Sequence, residues 1–424
     1  MQQSSNANWQ VGAIFGIPLY VDSSWFLILA LVTFANGVSW QQLYPNWITG
    51  TPWLVGFAMA LLLFVSVVLH ELGHSLVARS QGIKVNSITL FLFGGIASIE
   101  EEAKTPEHAF QVAISGPAVS LSIFLLLSLV AEFTATESPL QVLLQSLGEI
   151  NLVLAVFNLI PGLPLDGGQI LKALVWKVTG NRLQGVRWAA RVGQALGWIA
   201  VTLGLAFTFL LGEISGLWVT MLGWFGLRNA YIYERYTQLQ EALLQLKAQD
   251  AMSRDFRVVD ANKSLRQFTE HYLLDTMRRS AYFAAAEGRY RGLVDLEGLN
   301  TIERSQWEIQ PVQIVVRSLQ QIPTVRQDTP MTEVIERLES EHLPLITVLS
   351  PADAVAGIID RGDAVKALAH KLHLPISEED IRRIKEEGSY PSSLQLPAIA
   401  RTVMADVITS QSSSPKVSRV NSEP

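Results

Sequence analysis

From Ser23 to Leu69 the chain carries no charged side chain, and the residues that follow at once are His70-Glu71-Leu72-Gly73-His74. An uncharged run of that length is room for two hydrophobic helices of about 20 residues each. Gly37, Pro45, Asn46, Gly50 and Pro52 cluster between Asn36 and Pro52 and mark the break between them. Further uncharged stretches cover 109–131, 150–165, 192–212 and 214–227. The stretches at 150–165 and 214–227 are short, but each can borrow flanking residues such as 140–147 or 229–233. Six spanning helices is the economical count, the sixth being the weakest.

Charge then divides the chain. It is about 9% of residues 1–235 and about 25% of residues 236–424, the latter ordinary for a soluble domain. A net charge of −6 without a long basic run gives no reason to expect nucleic acid as a partner. Cysteine is absent. That excludes disulfides, thiolate zinc sites and a cysteine nucleophile, so a metal would have to sit on His, Asp or Glu. The first 22 residues contain no Lys or Arg, and the first apolar run lacks a small-residue cleavage site, so the first helix is expected to stay in the membrane. Basic residues alternate along the connections. Arg79, Lys84 and Lys104 follow the second run, Lys172, Lys177, Arg182, Arg187 and Arg191 follow the fourth, and Arg228 and Arg235 follow the sixth. The positive-inside rule then places these connections and both termini in the cytoplasm.

His70-Glu71-x-x-His74 has the spacing that puts two histidines on one helix face, with Glu71 beside them. Ionisable side chains next to 17 uncharged residues (53–69) cost a few kcal/mol each in hydrocarbon, which makes them functional by default. The alternative is a histidine pair satisfied by neighbouring helices. A catalytic zinc needs a third protein ligand and an open fourth position. The membrane half offers Asp22, Glu107, His108, Glu132, Glu137, Glu149, Asp166, Glu213, Glu234 and the 100–102 acidic run. Arg79 follows the histidines by nine and five residues, about 13 and 7 Å of helix, so the pair lies toward the cytoplasmic side. Asp166 ends the fourth run on that side, after Pro161-Gly162-Leu163-Pro164, whose prolines and glycine break the helix and let a carboxylate turn inward. It reads either as the third ligand or as a capping residue at the interface. Asn158, upstream in the same run, reads either as a helix–helix hydrogen-bonding residue or as a donor to a substrate carbonyl.

Together these residues resemble the site-2 protease family of intramembrane zinc metalloproteases. His70-Glu71-x-x-His74 is similar to its first motif, and Asn158 through Gly168 (NLIPGLPLDGG) to its second, N-x-x-P-x-x-P-x-D-G. Leu90 through Ala97 resembles the family's hairpin beside the active site, Ser115-Gly116-Pro117 its G-P element, and Phe15-Gly16-Ile17-Pro18 its entry segment. At Asp22 relatives often carry a histidine. The resemblance covers residues 12 to about 230. It implies zinc on His70, His74 and Asp166, Glu71 as general base, Asn158 near the scissile bond, and a transmembrane protein in the lipid bilayer as substrate. The segment 87–100 reads as a membrane-associated β-hairpin. Its edge either receives the unwound substrate as an added strand or is a re-entrant structural loop.

Beyond residue 236 an internal repeat appears. Tyr290-Arg291-Gly292-Leu293-Val294-Asp295 recurs 65 residues later as Val355-Ala356-Gly357-Ile358-Ile359-Asp360, and Phe256–Val259 recurs 66 residues later as Ile322–Val325. Two copies of one α/β unit are expected, and over about 249–371 they resemble a pair of CBS domains. Such pairs commonly bind adenine nucleotides through G-h-h-T/S-x-x-D. Here Asp295 and Asp360 replace the Thr/Ser, and the ribose-contacting Asp is Gly298 in the first copy and Asp363 in the second. An acid beside a phosphate opposes binding unless Arg291 or Arg361 compensates. The resemblance therefore implies a regulatory or dimerisation module, a homodimer through the pair, and Asp363 as the candidate nucleotide contact. Residues 378–387 (EEDIRRIKEE) read as a solvated helix with i,i+4 pairs, and a Ser-rich tail from Ser410 as disordered. His108, His271, His342, His370 and His373 lack metal spacing and are expected on the surface.

The expected whole is a polytopic α-helical membrane protein with a site-2 protease-like core of about six transmembrane helices and a small β-hairpin, joined to an α/β CBS pair. Its segments are 1–235 (membrane domain), 236–248 (linker), 249–310 and 311–371 (the two repeats), 372–409 (helical extension) and 410–424 (tail). The expected location is a prokaryotic cell membrane. Two other functions stay open. One is a silent scaffold of this fold, which loss of Glu71, a histidine or Asp166 would favour. The other is a CBS-regulated transporter, which would scatter charges along several helices.

Overall fold

The computed structural model describes residues 8–91, 94–100, 102–273, 281–391 and 394–413. Two compact units divide the chain, 1–237 and 238–424.

The first unit begins with the strands β1 (Asn8–Ile14) and β2 (Ile17–Asp22). The helices α1 (Ser24–Leu43) and α2 (Thr51–Ser80) follow, then β3 (Val85–Phe91) and β4 (Gly94–Ile99). The remainder is helical: α3 (Pro106–Ala131), α4 (Pro139–Asn158), α5 (Asp166–Thr179), α6 (Arg182–Leu211) and α7 (Ser215–Gln245), the last continuing into the second unit. Local chemistry sets several of these boundaries. Thr105 accepts from the amide of His108 ahead of α3, Ser138 from that of Gln141 ahead of α4, and Asn181 from that of Gln184 ahead of α6. Pro106 and Pro139 fill first-turn positions where no amide is needed.

Among the described residues five helices, not six, are long and apolar enough to cross a membrane: α1, α2, α3, α4 and α6. Their outward faces are apolar, with Leu126 61% and Phe209 79% exposed. The sixth expected stretch is the first half of α7, whose apolar part runs only about 20 Å before Arg228. Glu234, further along, accepts from Gln194 of α6 at 2.6 Å. The fourth crossing draws on 139–147 and ends at Asn158, so Asp166 opens α5 instead of closing that crossing.

The expected hairpin is half of a larger sheet. Strand order is β1-β2-β3-β4, with β2 parallel to β3 through Leu19↔Ile88, Tyr20↔Thr89 and Val21↔Leu90. β3 and β4 pair antiparallel, and Leu92 and Phe93 between them lie outside the described residues. Ile17, Ile83, Val85 and Ile88 bury against Leu72 of α2, which fastens the sheet beside the histidine helix.

The second unit contains α8 (Ala248–Ala251), β5 (Phe256–Asp260), α9 (Leu265–Phe268), β6 (Ala281–Ala286), β7 (Arg289–Val294), α10 (Leu296–Leu299) and β8 (Val316–Ser318). It continues with β9 (Thr324–Arg326), α11 (Met331–Ser340), β10 (Ile346–Leu349), β11 (Val355–Ile359), α12 (Arg361–Lys371), α13 (Glu378–Glu387) and α14 (Leu396–Ser413). The two copies share one pairing scheme. β5 is parallel to β6, which is antiparallel to β7, and β9 is parallel to β10, which is antiparallel to β11. Each antiparallel pair shifts register next to a glycine, at Ala284↔Gly292 and at Val348↔Gly357.

Helix α13 is not wholly solvated. Ile381 and Ile384, three residues apart, are buried in the core formed by α11, α12 and α14. Helix α14 runs on to Ser413, beyond the expected start of the tail, and 414–424 lie outside the described residues.

Candidate metal centre

Helix periodicity places His70 and His74 on one face of α2, where both are buried, at 4% and 8% exposure. Their Nε2 atoms are 3.3 Å apart. The Asp166 carboxylate arrives from the first turn of α5, with Oδ2 3.1 Å from His70 Nε2 and 3.3 Å from His74 Nε2. Close backbone approach delivers it there. A Cβ on Gly168 would sit 2.4 Å from the Gly162 carbonyl carbon, so only glycine lets α5 start against the turn that precedes it. Helix α3 closes the third side. A Cβ on Gly116 would lie 2.1 Å from His74 Nε2, and its absence leaves the centre open toward that helix.

The remaining ring nitrogens are both engaged. His74 Nδ1 lies 2.6 Å from the Val112 carbonyl, which can only accept, so Nδ1 carries a proton and in the neutral ring Nε2 offers a lone pair. His70 Nδ1 lies 2.9 Å from the fully buried Ser120 hydroxyl. A tetrahedral zinc with bonds of about 2.0–2.1 Å has ligand atoms about 3.3 Å apart. The three observed separations, 3.1, 3.3 and 3.3 Å, fall at or just below that value, and second partners on both imidazoles are the usual arrangement around such an ion. This donor set fits zinc.

Glu71 is partly buried beneath β4. The backbone amide of Ala97 donates to its carboxyl, and a Cβ on Gly95 would lie 2.6 Å from its Cγ. Asn158 ends α4, partly buried, and its side chain forms no hydrogen bond among the described residues. Asp22 lies just ahead of α1, its Oδ1 accepting from the amide of Ser24 at 2.9 Å.

In the second unit Asp363 is 5% exposed, and its carboxylate is already shared. Lys385 donates to Oδ1 at 2.7 Å, and the Ser253 hydroxyl and the Asp360 amide donate to Oδ2, each at 3.2 Å. Arg361 donates to Glu339 and to the carbonyls of Leu338 and Leu343. Asp295 accepts from Arg317. His108, His271, His342, His370 and His373 are all exposed.

Three features escaped the sequence reading. Ser120 and the Val112 carbonyl orient the histidines. Asn151 of α4 donates to Ser66 of α2 at 3.0 Å, with both residues buried. Glu102, in the segment between β4 and α3, meets Lys172 of α5 at 3.3 Å and, more closely, Arg182 at the start of α6. First Lys172 and then Arg182 hold the Glu102 carboxyl far below the usual carboxylate range, at about 2. Only the Gly116-Pro117 pair, marking a close crossing of α3, was a signal for any of these.

The chain is similar to known proteins over most of its length. The sequence profile of "Peptidase family M50" matches residues 58–136 and 128–200, and that of the "CBS domain" matches 316–370. A Synechocystis protein with the provisional name of a zinc metalloprotease is 42% identical, over 86% of this chain and 97% of the relative. A Mycobacterium tuberculosis protein, Rip3, provisionally named in the same way, is 31% identical over 89% of this chain and 98% of its own. A solved site-2 protease from Methanocaldococcus jannaschii is 33% identical, covers 54% of this chain and 95% of its own, and has a TM-score of 0.38. By the extent and level of sequence identity, the chain belongs to peptidase family M50, the site-2 proteases, and carries a CBS module behind its membrane core.

Proposed function

We propose that this protein is an intramembrane zinc endopeptidase that hydrolyses peptide bonds within or near transmembrane segments of other membrane proteins. One observation carries the reading: two imidazole nitrogens and one carboxylate oxygen converge to within 3.3 Å of one another inside a bundle of apolar helices. His70, His74 and Asp166 would hold the ion. Bound there, zinc supplies Lewis-acid polarisation of a carbonyl and acidifies water toward neutral pH. Glu71 takes the proton of the attacking water and returns it to the leaving amine, while the Ala97 amide fixes its carboxyl. Asn158 donates to the substrate carbonyl as negative charge develops on it. A transmembrane substrate must unwind before its peptide bonds are accessible, and β4, an edge strand of the sheet, receives the extended segment.

Helix α7 serves as the sixth crossing, with Glu234 supported by α6, so that both termini and the CBS pair face the cytoplasm of a prokaryotic cell. The CBS pair acts as a regulatory or dimerisation module. The internal partners of Asp363 favour a structural role for it over contact with an adenine nucleotide.

The test is cleavage of a model single-span substrate in detergent by wild type and by Glu71→Gln, with zinc quantified in both. Zinc in both and cleavage by wild type alone is the expected result. A folded wild-type preparation that binds no zinc would overturn the reading.

A further inference from the structure

The substrate-receiving strand is attached to the helical core in an uneven way. From Gly94 to Ile99 β4 is paired with β3, and just past its end Glu100 pairs with Lys84, again on the β3 side. Toward the helices that carry the catalytic groups, the Ala97 amide of β4 donates to Glu71 of α2, and past the strand's end the next attachment among the described residues is Glu102. Its Oε2 lies within ion-pair distance of both Lys172 and Arg182, whose side chains are only 11% and 10% exposed. Two cations that share one carboxylate oxygen lie within about 6 Å of each other, and the shared oxygen offsets their repulsion. Lys172 stands six residues beyond Asp166 on α5. The ion pair therefore fastens the strand that covers Glu71 to the helix that presents Asp166.

We infer that Glu102 is a positioning residue for peptide hydrolysis, its bridge to Lys172 and Arg182 setting the height of β4 above Glu71 and Asp166. The inference rests on the proposed proteolytic function. A gate is the weaker interpretation, because the strand is open in the bridged arrangement. It is an edge strand, and Ile96 is 59% exposed. What an added substrate strand needs from such an edge is a fixed distance to the reacting groups. A displacement of about 1 Å can cost a hundredfold in rate.

The experiment uses the full-length protein in detergent with a single-span substrate. Glu102→Gln is expected to lower kcat by about tenfold, a partial version of that loss, with KM and bound zinc little changed. Amides of β4 should exchange with solvent faster than in wild type. Because the chain has no cysteine, Glu102→Cys combined with Lys172→Cys can be bridged selectively by a short bis-maleimide. Bridging should restore most of the lost kcat, which a folding defect would not allow. Unchanged β4 exchange in Glu102→Gln, loss of zinc in that variant, or no rescue on bridging would each overturn the inference. If wild type cleaves nothing, the proteolytic reading fails, while exchange at β4 still decides whether Glu102 holds the strand.

Discussion

Two aspartates, Asp166 part-buried and Asp363 buried, open helices in the two halves of this molecule, and their surroundings give them opposite meanings. Asp166 stands in the first turn of α5 and Asp363 in the first turn of α12. Asp363 meets an ammonium, a hydroxyl and a backbone amide, so the chain itself supplies the balancing charge. Asp166 meets two imidazole nitrogens, and with its ring neutral His74 turns a lone pair toward it. A carboxylate pointed at lone pairs needs a cation from outside, whereas one pointed at a lysine does not. A buried acid near a motif is thus a site or a strut according to the sign of what faces it.

The largest effect that could break this contrast comes from the first centre. Glu71→Gln should remove cleavage by a factor on the order of 10³ while leaving zinc in place, since loss of a positioned base costs about 10²–10⁴. Asp166→Ala should abolish cleavage together with zinc, measured by metal analysis of the purified protein. Retention of full zinc by Asp166→Ala would put Asp166 in the same structural class as Asp363. Next in size is Ser120→Ala, which takes away the partner of His70 Nδ1. Zinc affinity should fall about 10–100-fold, read by competition with a chelator. An unchanged affinity would mean that α3 orients His70 by packing alone.

The legible parts of the fold are those whose signal is local. A spacing of four on a helix, and a proline–glycine turn just before an aspartate, point to His70, His74 and Asp166 without any tertiary information. The 65-residue repeat survives because both copies keep a glycine at the same register shift, Gly292 and Gly357. What stayed hidden depends on pairing across the chain. The parallel match of Leu19–Val21 with Ile88–Leu90 joins segments separated by two whole helices, and neither segment announces its partner. Ser120 faces His70 only because of how α3 is rotated against α2, which spacing within α3 does not reveal. In α13 the apolar pair Ile381 and Ile384 was the only sign of a buried face among eight charged residues. The hydrogen bond that Glu234 of α7 accepts from Gln194 of α6 likewise joins two helices, and spacing within either helix does not reveal it.

Moderate effects are expected at the second aspartate. Asp363→Asn keeps the shape but weakens the bond from Lys385, and Asp360 remains 3.2 Å from that ammonium to take up part of the charge. A loss of about 1–2 kcal/mol in unfolding of the C-terminal unit by urea is expected. A gain in stability would show that burial of this carboxylate costs more than its partners return. Adenine nucleotide should leave the wild-type midpoint where it is; an upward shift would assign the CBS pair a ligand after all.

Glu102 sharpens the contrast from a third position, being half-exposed and satisfied by two cations of the chain. Its folded pKa, about 2, lies below the ordinary value of 4.5 because Lys172 and then Arg182 favour the charged form. A carboxyl depressed on folding stabilises the native state above its unfolded pKa, and that contribution disappears as the pH falls through the folded one. The bridge should therefore be fully in force above about pH 4.5 and released between about pH 4.5 and 2. Because the carboxylate is 55% exposed, solvent and salt screen it, and the effect on global stability is the smallest of the set. The readout is local: solvent exchange of the β4 amides, compared between pH 5 and pH 3 after correction for intrinsic rates. Acid should speed exchange in wild type but not in Glu102→Gln, where the bridge is already gone. Equal acid sensitivity in the two proteins would place the titrating group elsewhere and leave Glu102 a surface charge without hold on the strand.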